Sequence, residues 1–424
     1  MLGVWGGSFL ILLVLPFQLL AKPLTTYGVF VLATFVLAFV VGGLLVPQHR
    51  AGGIRVSPGR VLIDYGWAEN ILMLSAVIAV FAFCIDLSGH NFLDISANQE
   101  LRSQRAATLL KAETSISTVW FQIAFLTYPA AYAYIALHTI YSRRVAYWKL
   151  GIFGFLPVLL AILSMGGRSP LLYAFAICGL SLFSRPNRGK FFARMSLKTI
   201  LVMFGAVLIV AAAGYYFSVI FLVRSQVVGG PEAMFKIAES VWGIGFKGPL
   251  STYIFSVFGE SLSYLIFIFT WYFIQGLVIA SYIFSGYDGP MQFGVYGIDL
   301  VSALMRRVDP GSVAQGFDSL LSLGTYGFFP SAFGSLYVDF GLFGLLLSGL
   351  WGYSAALCYR KIKYEKKTSW LIFAPFVSAG IIFSLINTPL GFANGFVSHL
   401  WMLLAFCLMK TRKVFVVPAA ATSQ

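Results

Sequence analysis

Apolar runs of about 20 residues, separated by short polar gaps, recur along almost the whole chain of 424 residues. Wound as helix at about 1.5 Å per residue, such a run matches a hydrocarbon core about 30 Å thick. Taking the gaps as loops predicts spans at residues 3 to 21, 25 to 47, 69 to 88, 117 to 140, 149 to 166, 170 to 184, 199 to 223, 339 to 359, 368 to 386 and 394 to 410. The expectation is therefore an all-α polytopic membrane protein of about ten helices, within a range of 10 to 12. Its first run reads as an anchor, since no soluble domain follows it.

Between Arg224 and Val338 the pattern changes to a long segment rich in Gly, Ser, Tyr and Trp, read as one large external loop, 224 to 338. Inside it, SLSYLIFIFTWYFIQGLVIASYIF (261 to 284) is apolar enough to cross on its own. One crossing there would place the lysines of YRKIKYEKK outside. Either the segment lies in the interface, or 320 to 338 supplies a compensating crossing. Gly and Pro interrupt 320 to 338, which favours the interfacial reading.

Composition agrees with the pattern: 59% hydrophobic, 17% aromatic and 10% charged, against about 25% charged in ordinary soluble domains. A net charge of +14 raises the question of nucleic acid. The gaps at 49 to 68, 141 to 149, 185 to 198, 360 to 367 and 410 to 424 carry 19 of the 29 lysines and arginines. By the positive-inside rule these gaps face the cytoplasm, the alternating gaps face outward, and both termini are cytoplasmic. The basic balance thus reports topology and requires no nucleic acid. The four cysteines, Cys84, Cys178, Cys358 and Cys407, lie in apolar runs without CxxC spacing and read as buried free thiols.

One cation breaks the pattern. In LSMGGRSPLLY, Arg168 sits between two glycines and a Ser-Pro pair, flanked by apolar runs of about 25 and 20 Å as helix. Both are short for a bilayer, so the turn is expected below the outer interface, facing a cavity and not lipid. Ser169 suits an N-cap and Pro170 the first helical position, leaving free N–H groups directed outward. Those donors, the helix dipole and a guanidinium make an anion site. An arginine snorkelling from a tight hairpin to lipid phosphates is the simpler alternative.

Arg224 closes the span before the large loop, and Arg306 and Arg307 lie within it. Arginine pairs planar and bidentate with phosphate, so two or three converging guanidinium groups would suit a diphosphate. A helix-end anchor for Arg224 and a solvated pair at 306 and 307 are the competing readings. External carboxylates, Glu260 and Asp299 foremost, could act as a general base, and His399 lies near the outer part of the last span. Tyrosines of the loop, Tyr326 among them, could stack on sugar faces, although an aromatic belt predicts the same residues. The sequence has no HExxH, P-loop or GxSxG and no cluster with metal-ligand spacing, so ATP-driven, zinc-dependent and serine-hydrolase readings lose support. Ionisable groups are missing from the middle of each drawn span, where an ion-coupled transporter usually needs them.

A many-span chain with GGRSPLL in a short turn, Arg224 after the next span, one large external loop and then SAFGSLYVDFGLFGLLLSGLWGYSAALCYRK resembles the bacterial oligosaccharide repeat-unit polymerases, the O-antigen polymerases. The likeness is of layout over nearly the whole chain and of motif over two short stretches. It implies a glycosyltransferase of the bacterial inner membrane, similar in architecture to enzymes that use lipid-linked donors. A sugar hydroxyl of one undecaprenyl-diphosphate-linked unit would attack the reducing-end carbon of another chain, releasing the lipid diphosphate. In that reading Arg168 and Arg224 stabilise the leaving diphosphate, Arg306 or Arg307 holds the second carrier, Glu260 or Asp299 takes the acceptor proton, and Tyr326 and His399 contact substrate. A polysaccharide chain-length regulator is the implied protein partner. An O-antigen ligase shares the donor, and a lipid-linked glycan flippase would need a polar pathway and two related halves. Where the family often carries an Asn-x-Tyr-Thr-like segment this chain has TYGFFPSAFG, which leaves roles for Tyr326 and Ser331 open.

Overall fold

The computed structural model describes residues 1–21, 24–47, 60–88, 118–165, 167–186, 214–215, 218–223, 225–226, 228–325 and 329–414. These residues are mostly helical, and seven helices among them are long and apolar enough to cross a membrane: Thr26–Leu44, Gly66–Ser88, Val119–Tyr141, Tyr147–Met165, Pro249–Gly286, Ser331–Lys363 and Thr368–Leu385. Three shorter apolar helices, Leu2–Val14, Ser169–Ser184 and Gly395–Leu408, complete the set. Large apolar side chains such as Leu10, Phe30, Leu37, Leu74, Phe81 and Leu346 point outward. A water-soluble surface rarely carries so much, and the chain is a multi-pass membrane protein. The same solvent explains why Cys84 and Cys407 are exposed on their helices while Cys358 is buried; all four thiols are free.

Helix Ala130–Tyr141 is the hub of the larger core, with each residue from Ala130 to Ile140 buried. Its repeated alanines let Gly66–Ser88, Ser169–Ser184 and Gly395–Leu408 pack against it from different sides. A second core joins Leu2–Val14, Thr26–Leu44, Pro249–Gly286 and Ser331–Phe340 around Phe35, Phe267, Trp271 and Phe333. Glycines set the approach of Thr26–Leu44 to Gly344–Lys363, where a Cβ added at Gly42 would overlap the Gly349 carbonyl. Ser348 Oγ also donates to the Phe35 carbonyl at 2.8 Å.

The five basic gaps meet at one end of the bundle, as far as they are described. Arg185 Nη2 donates to the Ser142 and Arg143 carbonyls at 2.7 and 3.0 Å. Tyr141 Oη donates to Thr368 and Ser369, and Arg360 Nη1 to Pro47. Strand Arg60–Asp64 pairs antiparallel with Lys410–Val414, Arg60 opposite Val414. Lys361 and Lys367 flank Glu365 and hold its carboxyl down at about 2.

The structure refines the sequence reading in three places. Helix Leu2–Val14 stops before Pro16, and Phe17–Leu19 pairs with Ile244–Phe246 as a short sheet. The first run is thus about 20 Å of helix and not a full crossing. Its Trp5 Nε1 donates to Ser384 Oγ at 3.1 Å, which sets the chain's start away from the basic end. Second, 261 to 284 belongs to the 38-residue helix Pro249–Gly286, kinked where Gly259 takes φ 69° and ψ 178°. Its contacts with Thr26–Leu44 and Ser331–Phe340 make it a core element with the length to cross. Third, Ser331–Phe340 forms its own helix and turns at Gly341, φ 56°, before Gly344–Lys363 begins. The span drawn at 199 to 223 lies largely outside the described residues.

Candidate functional site

The Arg168 turn joins Tyr147–Met165 to Ser169–Ser184 at the end of the bundle away from the basic gaps. Ser169 is not the cap that the Ser-Pro pair predicts. Arg168 occupies the N-cap with φ −100° and ψ −17°, its carbonyl accepts from Leu172 N–H, and Ser169 is already helical. Proline therefore falls at the second helical position, where its missing N–H still leaves no helix bond unmade. Tyr132 Oη donates to the Pro170 carbonyl at 3.3 Å, which pins the helix start to the hub helix. The Arg168 guanidinium stacks over Phe221, 4.2 Å from the ring centroid, a cation–π contact that holds the charge half-buried. Gly166 lies outside the described residues.

Beside this turn is a cavity of about 220 Å³. Gly167, Ser169 and Pro170 form one side of it. Phe125, Tyr128, Phe329 and Phe392 supply aromatic walls, and Asp299, Asn387 and Asn394 bring polar groups from elsewhere in the chain. Aromatic walls with a few convergent polar groups are the usual form of a small-molecule site. The start of helix Ser169–Ser184 thus lines the cavity together with Asp299, Asn387 and Asn394, while the Arg168 guanidinium, stacked on Phe221, is not among the lining groups.

Asp299 opens helix Asp299–Val308 at the cavity. Surrounding protein raises its carboxyl to about 6, and the Arg306 charge opposes that rise. The residue is open to the cavity and yet ringed by protein, a combination suited to a carboxyl that exchanges a proton near neutrality. The loop before it is held by a second carboxylate. Asp339, 2% exposed, accepts from Tyr296 N–H at 2.9 Å and from Gly297 N–H at 2.8 Å. Phe293 N–H also donates to the Asp339 carbonyl. On its other side the loop meets the turn at 387 to 395: Thr388 Oγ1 donates to Gly297, and a Cβ at Gly391 would overlap the Gly297 carbonyl.

Of the residues singled out from sequence, Arg168 and Asp299 come to this one region. Arg306 stacks over Phe317 at 5.4 Å and donates through Nε to Ser302 Oγ, so it reaches the site through its field on Asp299. Arg307 is exposed on the same helix. Glu260, the residue after the Gly259 kink, is exposed and lines no part of the cavity. His399 also stands apart from it: Nδ1–H donates to the Gly395 carbonyl at 2.7 Å, and the ring sits edge-on to Phe376. The helix's own carbonyl thus satisfies it. Arg224 and Tyr326 lie outside the described residues. Among the described residues, no three His, Cys, Asp or Glu side chains gather as metal ligands would.

Asn387 and Asn394 were not picked out by sequence reasoning, whereas Asp339 stood among the external carboxylates read as possible bases and is here a structural acceptor. A signal existed for the first two: NTPLGFANG, Asn387 to Gly395, packs two asparagines, two glycines and a proline between apolar helices. Comparison of the chain with protein-family models, with characterised proteins and with solved structures finds no match.

Proposed function

We propose that the protein is a metal-independent glycosyltransferase that polymerises undecaprenyl-diphosphate-linked oligosaccharide units on the outer face of the bacterial inner membrane. The observation that carries this reading is one cavity lined both by the start of helix Ser169–Ser184, next to Arg168, and by the Asp299 carboxyl. A glycosyl transfer from a lipid diphosphate needs both: charge stabilisation on the departing diphosphate and a base for the attacking hydroxyl. Arg168 and the N–H groups at the start of Ser169–Ser184 would face the diphosphate. Asp299 would take the acceptor proton, which makes it the better choice over Glu260 for that step. The position of the cavity at the end opposite the basic loops fits an outward-facing site under the positive-inside rule. An O-antigen ligase would use the same two poles with a different acceptor.

The test is deletion of the gene followed by complementation, with surface glycan length read on a gel. Arg168→Ala and Arg168→Lys should reach wild-type membrane levels and yield single-unit glycan without a ladder, since lysine cannot replace a planar, stacked guanidinium. A normal ladder in both variants at matched expression refutes the assignment of Arg168.

A further inference from the structure

Asn387 follows helix Thr368–Leu385 and lines the cavity. Its Oδ1 accepts from Thr388 N–H at 2.7 Å and from Ser335 Oγ at 3.1 Å. Those donors fix the amide, because a flipped side chain would set Nδ2 against the Thr388 N–H. No described residue accepts from Nδ2, and this nitrogen is not one of the unpaired polar atoms sealed inside the protein. A donor remains to be used.

Gly391 locates that donor at the cavity wall. A Cβ added there would come within 2.8 Å of Asn387 Nδ2, and Gly391 is itself a lining residue. Glycine at 391 thus keeps a side chain off the nitrogen. The same Cβ would overlap the Gly297 carbonyl, which also accepts from Thr388 Oγ1 at 3.4 Å. The amide of Asn387 and the loop leading into Asp299 therefore meet around one glycine.

An ionised Asp299 can only accept hydrogen bonds, whereas Nδ2 can only donate them. A hydroxyl does both, and a sugar carries hydroxyls on neighbouring carbons, so one ring can satisfy the pair. The carboxylate disfavours an anion beside it. Phe125, Tyr128, Phe329 and Phe392 suit the apolar face of a sugar. The volume of about 220 Å³ falls below the roughly 300 to 1,000 Å³ of drug-sized sites, which fits a single ring.

We infer that Asn387 is a substrate-binding residue whose Nδ2 donates to a hydroxyl oxygen of the acceptor sugar and holds the ring while a neighbouring hydroxyl faces Asp299. Calling this sugar the acceptor rests on the glycosyl-transfer reading. The unused donor beside the cavity stands without it.

The experiment uses the full chain in lipid nanodiscs at pH 8. Probes are the methyl glycosides of glucose, galactose and N-acetylglucosamine, their monodeoxy and monodeoxyfluoro analogues, and inorganic pyrophosphate, with dissociation constants from calorimetry or saturation-transfer NMR. In the wild type, deleting the hydroxyl that Nδ2 meets should weaken binding about tenfold. Fluorine at that position accepts but cannot donate, so it should recover part of the loss. Asn387→Asp keeps the oxygen that Thr388 and Ser335 use and should melt near the wild type, yet it turns the donor into an acceptor. The order should then reverse, with the fluoro sugar binding more weakly than the deoxy sugar. A purely structural asparagine predicts the same analogue order in both proteins, with only Asn387→Ala harmful, through lost stability. That outcome, or no binding of any glycoside to the wild type, overturns the inference. Pyrophosphate bound in its place and lost in Asn387→Ala would assign the amide to phosphate and overturn it too. The two readings fail separately. Reversed analogue order beside a normal glycan ladder in Asn387→Asp cells upholds the sugar contact and removes the transferase, whereas an unchanged order beside a ladder lost in Arg168→Ala removes only the contact.

Discussion

At the scale of single residues, Asp299 makes a sign-definite statement about pH. Its carboxyl, raised to about 6, stands above the ordinary value of about 3.9. The fold therefore favours the protonated form, and this contribution to stability is lost as pH rises through 6. A base must be ionised, so activity should move the other way, rising through one titration centred near pH 6. Asp299→Asn should lower turnover about 100-fold or more while leaving the protein at least as thermally stable as the wild type above pH 6. Rates of chain extension across pH 4.5 to 8, beside melting curves, check both halves. An unchanged pH profile in the variant would exclude Asp299 as the base. The turn at Arg168 was legible in the sequence because glycine, serine and proline around a lone cation are local signals. Asn394 was not, because whether a buried amide is satisfied depends on Phe125, which is 269 positions away.

At the scale of elements, the loop before Asp299 is the point of leverage. Two backbone N–H groups of that loop end on the Asp339 carboxylate, which ties it to Ser331–Phe340. Asparagine at 339 can accept one of them but presents NH₂ to the other, leaving a buried donor opposed at a cost of about 1 to 3 kcal/mol. Asp339→Asn should therefore lower the melting temperature and also shift the midpoint of the Asp299-dependent pH profile, because the loop sets where that carboxyl sits. A stability loss with an unmoved midpoint would confine Asp339 to a structural role. Helix identity was mostly legible from apolar run length, since one run wound as one helix satisfies its own backbone. The exceptions have local causes: Pro16 cuts the first helix, and Gly259 kinks a helix longer than the apolar run suggests.

At the scale of the whole molecule, charge bias was the most readable feature, because Lys and Arg sort by side regardless of how helices pack. Cysteines placed singly in a cysteine-free background at Arg143, exposed at the basic end, and at Asp288, exposed in the loop region before Asp299, test the sidedness. An impermeant maleimide applied to whole cells with a permeabilised outer membrane should label position 288 and not 143. The opposite labelling would invert the map and move the cavity to the cytoplasmic side. Which helices face one another was not legible, since in lipid the choice rests on small residues and on the fit of surfaces distant in sequence, as at Gly42 and Gly349.

The pairing of Arg60–Asp64 with Lys410–Val414 has a practical corollary. Residues 410–414 complete a ribbon begun some 350 positions earlier, so the polypeptide is not finished, mechanically, until this stretch has come back. A reporter or affinity handle fused in place of everything after Met409 would orphan that ribbon and should reduce yield of folded protein. The same handle appended beyond Gln424 leaves the ribbon whole, and comparing monodisperse yield of the two fusions would reveal how much of the assembly waits on its tail.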